Sequence, residues 1–169
     1  ISVALRVGAG FPGEPVARDE SRITDFSMHG PGGESPIRGR DGADPAGVIR
    51  PLEAGIYTLA YRGTPNSLVL ESGKFEAYLA QEGLEGVIKA RADRGQSTAP
   101  GREQFSRCCK ALLAVGSADQ AGFDRTIGQR LEVTALDNPF SASPGETLRF
   151  RVDFEGAPCP GLLVSARHA

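Results

Sequence analysis

The sequence contains no tryptophan, one methionine and no long apolar stretch among its 169 residues. A membrane-spanning helix needs ~18 consecutive apolar residues, and no segment approaches that length. The apolar run from Ile1 to Val7 is also too short for the apolar region of a signal peptide. We therefore expect no membrane insertion by this chain.

An excess of one charge sign is missing too, because 19 basic and 21 acidic residues give a formal net charge of −2. Both signs are interspersed along the chain, and no run of lysine or arginine would neutralise several phosphates. Nucleic acid is therefore not an expected partner.

Recognisable catalytic motifs are absent from the sequence. It has no Gly-x-Ser-x-Gly turn and no glycine-rich phosphate loop that ends in Lys-Ser or Lys-Thr. Neither histidine belongs to a motif that couples it to a nucleophile, and no pair of carboxylates is distinguished as acid and base. We therefore predict that this protein is not an enzyme.

Cysteine is scarce, and Cys108, Cys109 and Cys159 allow at most one intramolecular disulfide with one thiol left over. Because Cys108 and Cys109 are neighbours, in a strand they point to opposite faces and do not easily share a metal ion. A bridge from either of them to Cys159 would close a loop of about 50 residues and stabilise the fold by about 4 kcal/mol. Buried free thiols are the alternative.

Turn-forming residues are abundant, with 22 glycines and 12 prolines. Between the turns, apolar residues alternate with polar ones, which is the period-two pattern of a β-strand. The pattern predicts strands at residues 2–7, 23–28, 48–50, 56–61, 67–70 and 105–115. We therefore expect a mainly antiparallel β-sandwich over residues 1–127.

A helical pattern interrupts this series of strands. Phe75, Tyr78 and Leu79 follow spacings of three and four residues, and the same spacing recurs further along the chain. The spacing predicts a two-helix insertion at about residues 73–94, with helices at 73–82 and 84–94.

A second β-rich segment starts near residue 129. Leu131, Val133 and Ala135 alternate with polar residues, residues 148–154 alternate strictly, and residues 162–164 are a last apolar run. Three strands are too few to close a sandwich. We therefore expect residues 129–169 to be a partial second β-domain, incomplete in this chain.

Candidate metal ligands are few, since His29 and His168 are the two histidines of the chain. With the three thiols they offer nitrogen and sulfur donors, which borderline ions such as nickel, cobalt or copper would accept. No pair of these residues has a recognised ligand spacing. A solvated loop histidine is the alternative interpretation of His29.

A cluster of charged residues flanks the predicted helices. Guanidinium groups bind carboxylate and phosphate through two hydrogen bonds, so the cluster is a candidate anion site. The alternative is a structural role, in which Arg–Glu pairs attach the insertion to the sandwich. The members of the cluster are Arg91, Arg94, Arg102, Glu103, Arg107 and Lys110.

Short motifs along the whole chain resemble those of a known family. The motifs are residues 10–15 (Gly10-Phe11-Pro12-Gly13-Glu14-Pro15), 51–62, 74–79 with 82–84, 101–107, 138–140, 144–146 and 156–164. Together they resemble a widespread bacterial family, a domain of unknown function that is grouped with periplasmic components of nickel and cobalt uptake (NikM-like proteins).

The resemblance implies an immunoglobulin-like sandwich followed by the start of a transthyretin-like second domain. It also implies a periplasmic or extracellular protein, which agrees with a chain that begins at Ile1 rather than methionine and lacks its export signal. The implied function is a non-catalytic binding protein that handles nickel or cobalt and partners a membrane uptake complex or another envelope protein. A structural or adhesive cell-surface module without a metal role is the alternative.

The sequence departs from the family at its start. Members of the family usually carry a histidine close to the mature N-terminus, where imidazole and α-amine together chelate a metal. This chain begins inside its first predicted strand, so any such ligand would lie outside it.

Overall fold

The structure is a computed structural model that describes residues 1–8, 10–117 and 119–166. The described part is mainly β, with several antiparallel sheets, two α-helices and no closed barrel. The strands are β1 (Ser2–Val3), β2 (Leu5–Val7), β3 (Glu14–Val16), β4 (Ile23–Gly30), β5 (Gly33–Pro36), β6 (Gly47–Val48), β7 (Gly55–Gly63), β8 (Asn66–Leu70), β9 (Gly101–Phe105), β10 (Cys108–Val115), β11 (Leu131–Ala135), β12 (Phe150–Phe154) and β13 (Ala157–Pro158). The helices are α1 (Ser72–Gln81) and α2 (Glu85–Asp93).

Contacts divide the chain into two compact units. The larger unit contains Ile1–Thr64 and Arg107–Cys159, and the smaller unit contains Pro65–Ser106 and Pro160–Ala166. The predicted boundary between β-domains near residue 128 is a different division and stays a prediction.

The main sheet of the larger unit has the strand order β10-β7-β4-β5, and each neighbouring pair is antiparallel. The central strand β7 is dense in β-formers, and its Ile56 and Thr58 are 0% exposed. Its alternate side chains line two different faces. β10 is an edge strand of this sheet, so it pairs with β7 on one side and with no other strand of this sheet on its other side.

The hydrophobic core of the larger unit lies against one face of this sheet. Its buried centre is Phe26, Ile37, Ala46 and Ile49, and Leu59, Tyr61 and Leu113 are among the residues packed on it. The Phe26 and Tyr61 rings meet edge to face, with centroids 5.8 Å apart. Residues from three strands of the main sheet and from the loops around β6 thus share one core.

A second sheet of the larger unit has the order β11-β12-β13. Val133 of β11 lies opposite Val152 of β12, and the same register brings Leu131 against Phe154 and Ala135 against Phe150. One face of this sheet is therefore wholly apolar, because alternate residues share a face.

In the smaller unit, β8 and β9 pair with each other, and both helices lie in the stretch of chain that connects these two strands. Phe75 and Leu79 of α1 are buried at 6% and 2% exposure. Gly101 of β9 lies under the Phe75 ring, where an added Cβ would be 2.0 Å from ring atoms. The helices begin and end within a residue of the predicted 73–82 and 84–94, which confirms the two helices.

The strands differ more from expectation. The predicted strand 2–7 is two short strands, 105–115 contains a break between β9 and β10, and β3 and β5 have no alternating apolar pattern that would reveal them. The expected strand at 162–164 does not form. Pro160 supplies no backbone donor there, and Leu163 instead lies near Gly83 within the smaller unit.

Within the described ranges, neither helix has the length and apolarity needed to cross a membrane.

Candidate functional site

An open cleft of about 390 Å³ in the larger unit is lined by β10, β11, β12 and the segment before β11. Its apolar lining residues are Leu112, Phe123, Leu131, Val133, Ala135 and Phe150. Leu131, Val133 and Phe150 remain 44%, 47% and 52% exposed, so this apolar face is not covered. A cleft of this size and lining is within the range of small-molecule sites.

The polar face of the same sheet is the buried one. Glu132, Thr134 and Asp153 are 3%, 3% and 7% exposed, although a half-buried strand usually hides its apolar side. Glu132 explains this reversal. Its carboxylate accepts hydrogen bonds from the backbone N–H groups of residues 127, 128 and 129 at 2.8, 2.9 and 3.1 Å.

Lys110 of β10 completes the Glu132 site. Its Nζ donates to Glu132 Oε1 at 2.8 Å and to the Arg125 carbonyl at 2.7 Å. Burial raises the pKa of Glu132, but the hydrogen bonds from Lys110 and the backbone outweigh burial, so the pKa lies below its ordinary value. Glu132 is therefore held as a buried anion.

The polar side chains at the cleft, Gln129 and Lys110, already have hydrogen-bond partners within the protein. Gln129 Nε2 donates to the carbonyl oxygens of Tyr61 and Cys109, both at 3.0 Å, and Lys110 is bound to Glu132. What the cleft offers to a ligand is therefore mainly apolar surface.

The three cysteines are free thiols in the structure. Cys108 and Cys109 both contribute to the cleft lining, while the backbone N–H of Cys159 donates to Val152 at 3.0 Å. Desolvation by neighbouring atoms, and then the adjacent Cys108, raise the pKa of the Cys109 thiol. The predicted bridge to Cys159 is not formed here and stays a prediction for the oxidised protein.

His29 belongs to a chain of polar side chains on the β4–β5 hairpin. Ser27 Oγ donates to Asp25 Oδ2 at 3.0 Å and is 2.9 Å from His29 Nε2. His29 Nδ1 is 3.8 Å from Glu34 Oε2, across a pair of register partners. We call these four residues, Asp25, Ser27, His29 and Glu34, the hairpin polar chain.

The direction of these hydrogen bonds follows from counting hydrogens. A hydroxyl has one hydrogen, and the Asp25 carboxylate can only accept it. Both short contacts of Ser27 are hydrogen bonds only if His29 Nε2–H donates to Ser27 Oγ. We assign this tautomer from the geometry.

His29 is the member of the hairpin polar chain that the sequence analysis identified. It did not identify Asp25, Ser27 or Glu34. Asp25, Ser27 and His29 alternate along β4 and therefore share a face. That polar alternation was the available signal, but it lies within a strand that was interpreted through its apolar residues. Glu34 could be paired with His29 only once the hairpin register was known.

The other predicted metal donors are not gathered around His29. Across residues 1–8, 10–117 and 119–166, no group of three or more His, Cys, Asp or Glu side chains is placed to hold a metal ion. His168 lies outside the described residues.

The charged cluster is divided between the units. Arg91, Arg94, Arg102 and Glu103 lie in the smaller unit, and Arg107 and Lys110 lie in the larger one. Arg94 is the residue that follows α2, and Arg102 lies opposite Val69 on β8. Anion binding by the cluster stays a prediction.

Arg91 of this cluster contacts several parts of the smaller unit. It donates to Glu76 Oε1 at 2.7 Å and to the carbonyls of Gln96 and Ala99 at 2.9 and 2.8 Å. Its guanidinium also lies 4.9 Å from the centre of the Phe75 ring. Arg91 thus ties α2 to α1 and to the segment that leads into β9.

Glu103 contacts the first helix. Its Oε1 accepts a hydrogen bond from Tyr78 at 3.0 Å. Burial, and then this hydrogen bond, raise the pKa of Tyr78. Glu103 is thereby connected to α1 within the smaller unit.

Comparison with known protein families identifies a family for this chain. A family model described as a domain of unknown function (DUF4198) matches residues 1–169. No curated protein and no solved structure matches the chain significantly.

Proposed function

This chain belongs to the DUF4198 family, a domain of unknown function, and we propose that it is a non-catalytic binding module whose ligand site is the apolar cleft. The observation that carries the proposal is the uncovered apolar face of β11 and β12 beside β10, with Val133 47% and Phe150 52% exposed. Contiguous apolar surface of this kind is costly to leave in water. A bound ligand would remove that cost.

The ligand we propose is a small, mainly apolar molecule. The cleft volume of about 390 Å³ is suited to such a ligand. Lys110 and Gln129 already have partners, so a strongly charged ligand would find no free group among them. Cys108, which shares a face of β10 with Lys110 and Leu112, adds a soft, polarisable contact.

The proposal that the protein is not an enzyme has support in the hairpin polar chain. Ser27 is next to an imidazole, as in a hydrolase, but its hydrogen is donated to Asp25 and its exposure is 2%. A nucleophile must give its proton to the base and must reach a substrate. This serine does neither.

The cellular setting that we propose follows the family resemblance. The chain would be a periplasmic or secreted domain with an immunoglobulin-like sandwich and the start of a transthyretin-like domain. An adhesive or structural surface module is the alternative, and it would leave the cleft without a small-molecule ligand.

A test of the cleft uses an apolar fluorescent probe, 8-anilinonaphthalene-1-sulfonate, with methyl NMR shifts to locate it. We expect saturable binding, with shifts at Leu112, Leu131 and Val133. The variant Val133→Glu should weaken binding at least tenfold. Val69→Glu is the matched control, because Val69 is 64% exposed on β8 and outside the cleft. Equal binding by both variants, or no saturable binding, would overturn the proposal.

Nickel or cobalt handling is a second candidate function. It is supported by the resemblance to NikM-like proteins and by the imidazole of His29, whose Nδ1 faces a carboxylate. The test is calorimetric titration of the reduced, chelator-treated natural protein with nickel, cobalt and copper. Saturable binding at micromolar affinity supports this function, and its absence refutes it.

A further inference from the structure

β11 is an edge strand of the second sheet, because it pairs with β12 on one side and with no strand among the described residues on its other side. Its hydrogen bonds to β12 alternate along the strand, as in any antiparallel pair. The N–H of Glu155 donates to the carbonyl of Arg130 at 2.7 Å, and the N–H of Leu136 donates to the carbonyl of Arg149 at 2.9 Å. The even-numbered residues of this stretch therefore face β12.

The odd-numbered residues Leu131, Val133 and Ala135 point their backbone N–H and C=O groups away from β12. No hydrogen bond joins these groups to any other described residue. Ala135 is only 5% exposed, so its backbone groups have little water available as a partner. An unpaired strand edge of this kind is a template for a further strand.

The side chains of the same three residues line the apolar cleft. Leu131 and Val133 are 44% and 47% exposed, and Phe150, the register partner of Ala135, is 52% exposed. The cleft thus offers unpaired backbone groups and apolar side chains next to each other. Successive outward groups are two residues apart, which is about 6.6–6.8 Å along a strand. That distance is also the repeat of an extended peptide.

We propose that the outer edge of β11 binds an extended peptide segment of a partner protein, which adds to the sheet as a further strand. The inference rests on the proposed binding function and deepens it, because the peptide would lie in the same apolar cleft. In this mode of recognition, main-chain hydrogen bonds provide affinity and alternate side chains provide specificity. The cleft volume of about 390 Å³ limits the bound part to a short segment.

The charges around the cleft define the kind of peptide that fits. The ammonium group within the cleft is already paired, so the centre of the segment should carry apolar side chains. Exposed ion pairs lie at both ends of β11, with Arg130 and Glu155 2.9 Å apart at its start and Arg149 and Asp137 2.7 Å apart beyond its end. Each pair presents both signs of charge. Charged residues on either side of an apolar centre would therefore find an opposite charge.

The probe is the acetylated and amidated peptide Lys-Val-Thr-Val-Thr-Val-Glu, whose valines share one face when it is extended. Binding is followed by ¹H–¹⁵N NMR spectra and by hydrogen exchange of the full chain. We expect saturable binding, with exchange at least tenfold slower for the N–H groups of Leu131, Val133 and Ala135. The N–H groups of residues 132 and 134 already face β12, so their exchange should change little. This alternation distinguishes strand addition from contact with the apolar side chains alone.

Two analogues of the peptide are matched controls, one N-methylated at its valines and the other at its threonines. Backbone N–H groups alternate between the two edges of a strand, so only one analogue loses the donors that face β11. That analogue should bind at least tenfold more weakly, while the other should bind within about threefold of the parent peptide.

A protein variant removes a donor from β11 itself. Val133→Pro deletes an N–H that points outward, a position at which an edge strand tolerates proline. It should weaken peptide binding about tenfold, since the bound strand loses a hydrogen bond and the proline ring crowds that edge. Val133→Ala is the matched control, because it shortens the side chain and keeps the N–H, and it should weaken binding about threefold or less.

The outcomes separate this inference from the proposed function. If the apolar fluorescent probe binds the cleft and the peptide does not, or if both N-methylated analogues bind as well as the parent peptide, strand addition is wrong and the apolar cleft stands. If neither probe binds, both proposals fail. If the three N–H groups become protected at high protein concentration without peptide, and sedimentation shows dimers, a second copy occupies the edge and the peptide partner is wrong. The N-methylated analogues decide the question even if Val133→Pro fails to fold.

Discussion

Glu132 and Arg18 are charged side chains that the larger unit buries, at 3% and 6% exposure. Arg18 donates to the carbonyl oxygens of Ile37 and Ala46 at 3.2 and 3.0 Å and lies 5.6 Å from the Phe26 ring centre. Glu132 accepts from three successive backbone N–H groups and Lys110. Each charge is satisfied by backbone groups together with one opposite charge, Lys110 for Glu132 and Glu20 for Arg18, and the backbone contacts fix those loops against the sheets.

The variant Glu132→Gln should lower the free energy of unfolding by about 2–3 kcal/mol, because it leaves Lys110 buried without its anion and weakens the bonds to the loop. Urea denaturation at pH 7 measures the change. The control is Glu155→Gln, whose pair with Arg130 is exposed at 59% and 65% and should contribute about 0–1 kcal/mol. Equal effects of the two variants would show that the Glu132 contacts do not contribute as described.

The stability that Glu132 contributes should depend on pH in a defined direction. The pKa of Glu132 in the folded protein is below its ordinary value, so the contribution is complete above the unfolded pKa and is lost as pH falls through the folded pKa. The difference between wild type and Glu132→Gln should thus be constant from pH 6 to 8 and shrink below about pH 4.5. A difference that grows in acid would contradict this sign.

Asp137 should show the same direction at lower pH. Two hydrogen bonds from the Arg149 side chain and one from its backbone lower the pKa of Asp137 from 3.8 to about 2. Its contribution should therefore be lost between about pH 4 and pH 2. Chemical-shift titration of the Asp137 carboxyl checks the value, and a midpoint near 3.8 would refute the contact.

At the scale of elements, the helices were predicted more accurately than the strands. The helical spacing of Phe75, Tyr78 and Leu79 is local, and it is satisfied within one turn or two. By contrast, β9 has the sequence Gly-Arg-Glu-Gln-Phe, which lacks β-formers except at its end, and it forms a strand because it pairs with β8. Pairing between distant segments overrode the weak local preference of β9.

Gly101→Ala should destabilise the smaller unit by about 1–3 kcal/mol, since its Cβ would be 2.0 Å from the buried Phe75 ring. Gly86→Ala in α2 is the control, because no atom outside the neighbouring backbone of its own helix and its two chain neighbours lies within 4 Å of its Cβ position. Alanine should stabilise there by about 0.5–1 kcal/mol. Hydrogen exchange in α1 and β9 locates the effect. Similar effects at both glycines would contradict the packing of Phe75 on Gly101.

At the scale of the whole molecule, the larger unit is assembled from two separated stretches of chain, with the strand–helix–helix–strand segment between them. Its central strand β7 pairs with β4 before it and with β10 after it. Such long-range pairing must be completed before the sheet is stable. A covalent link between the late strands and β10 would therefore restrict the unfolded chain.

The predicted link is a disulfide from Cys108 or Cys109 to Cys159. If the protein matures in an oxidising compartment, thiol titration of the unfolded, unreduced protein should count one free thiol. Reduction should then lower stability by about 4 kcal/mol or less, because the bridge closes a loop of about 50 residues. The reduced protein is the control and should count three thiols. A count of three before reduction would refute the bridge.

The sequence by itself determined the mainly β class, the two helices and their position, because period-two and period-3.6 patterns depend on neighbours along the chain. It also contained the polar alternation of Asp25, Ser27 and His29. Only the tertiary structure decided that Glu34 faces His29 and that the buried Glu132 carboxylate accepts hydrogen bonds from three backbone N–H groups. It also decided that the apolar face of β11 is left exposed to solvent. These depend on register and on contacts between distant segments, which no local pattern specifies.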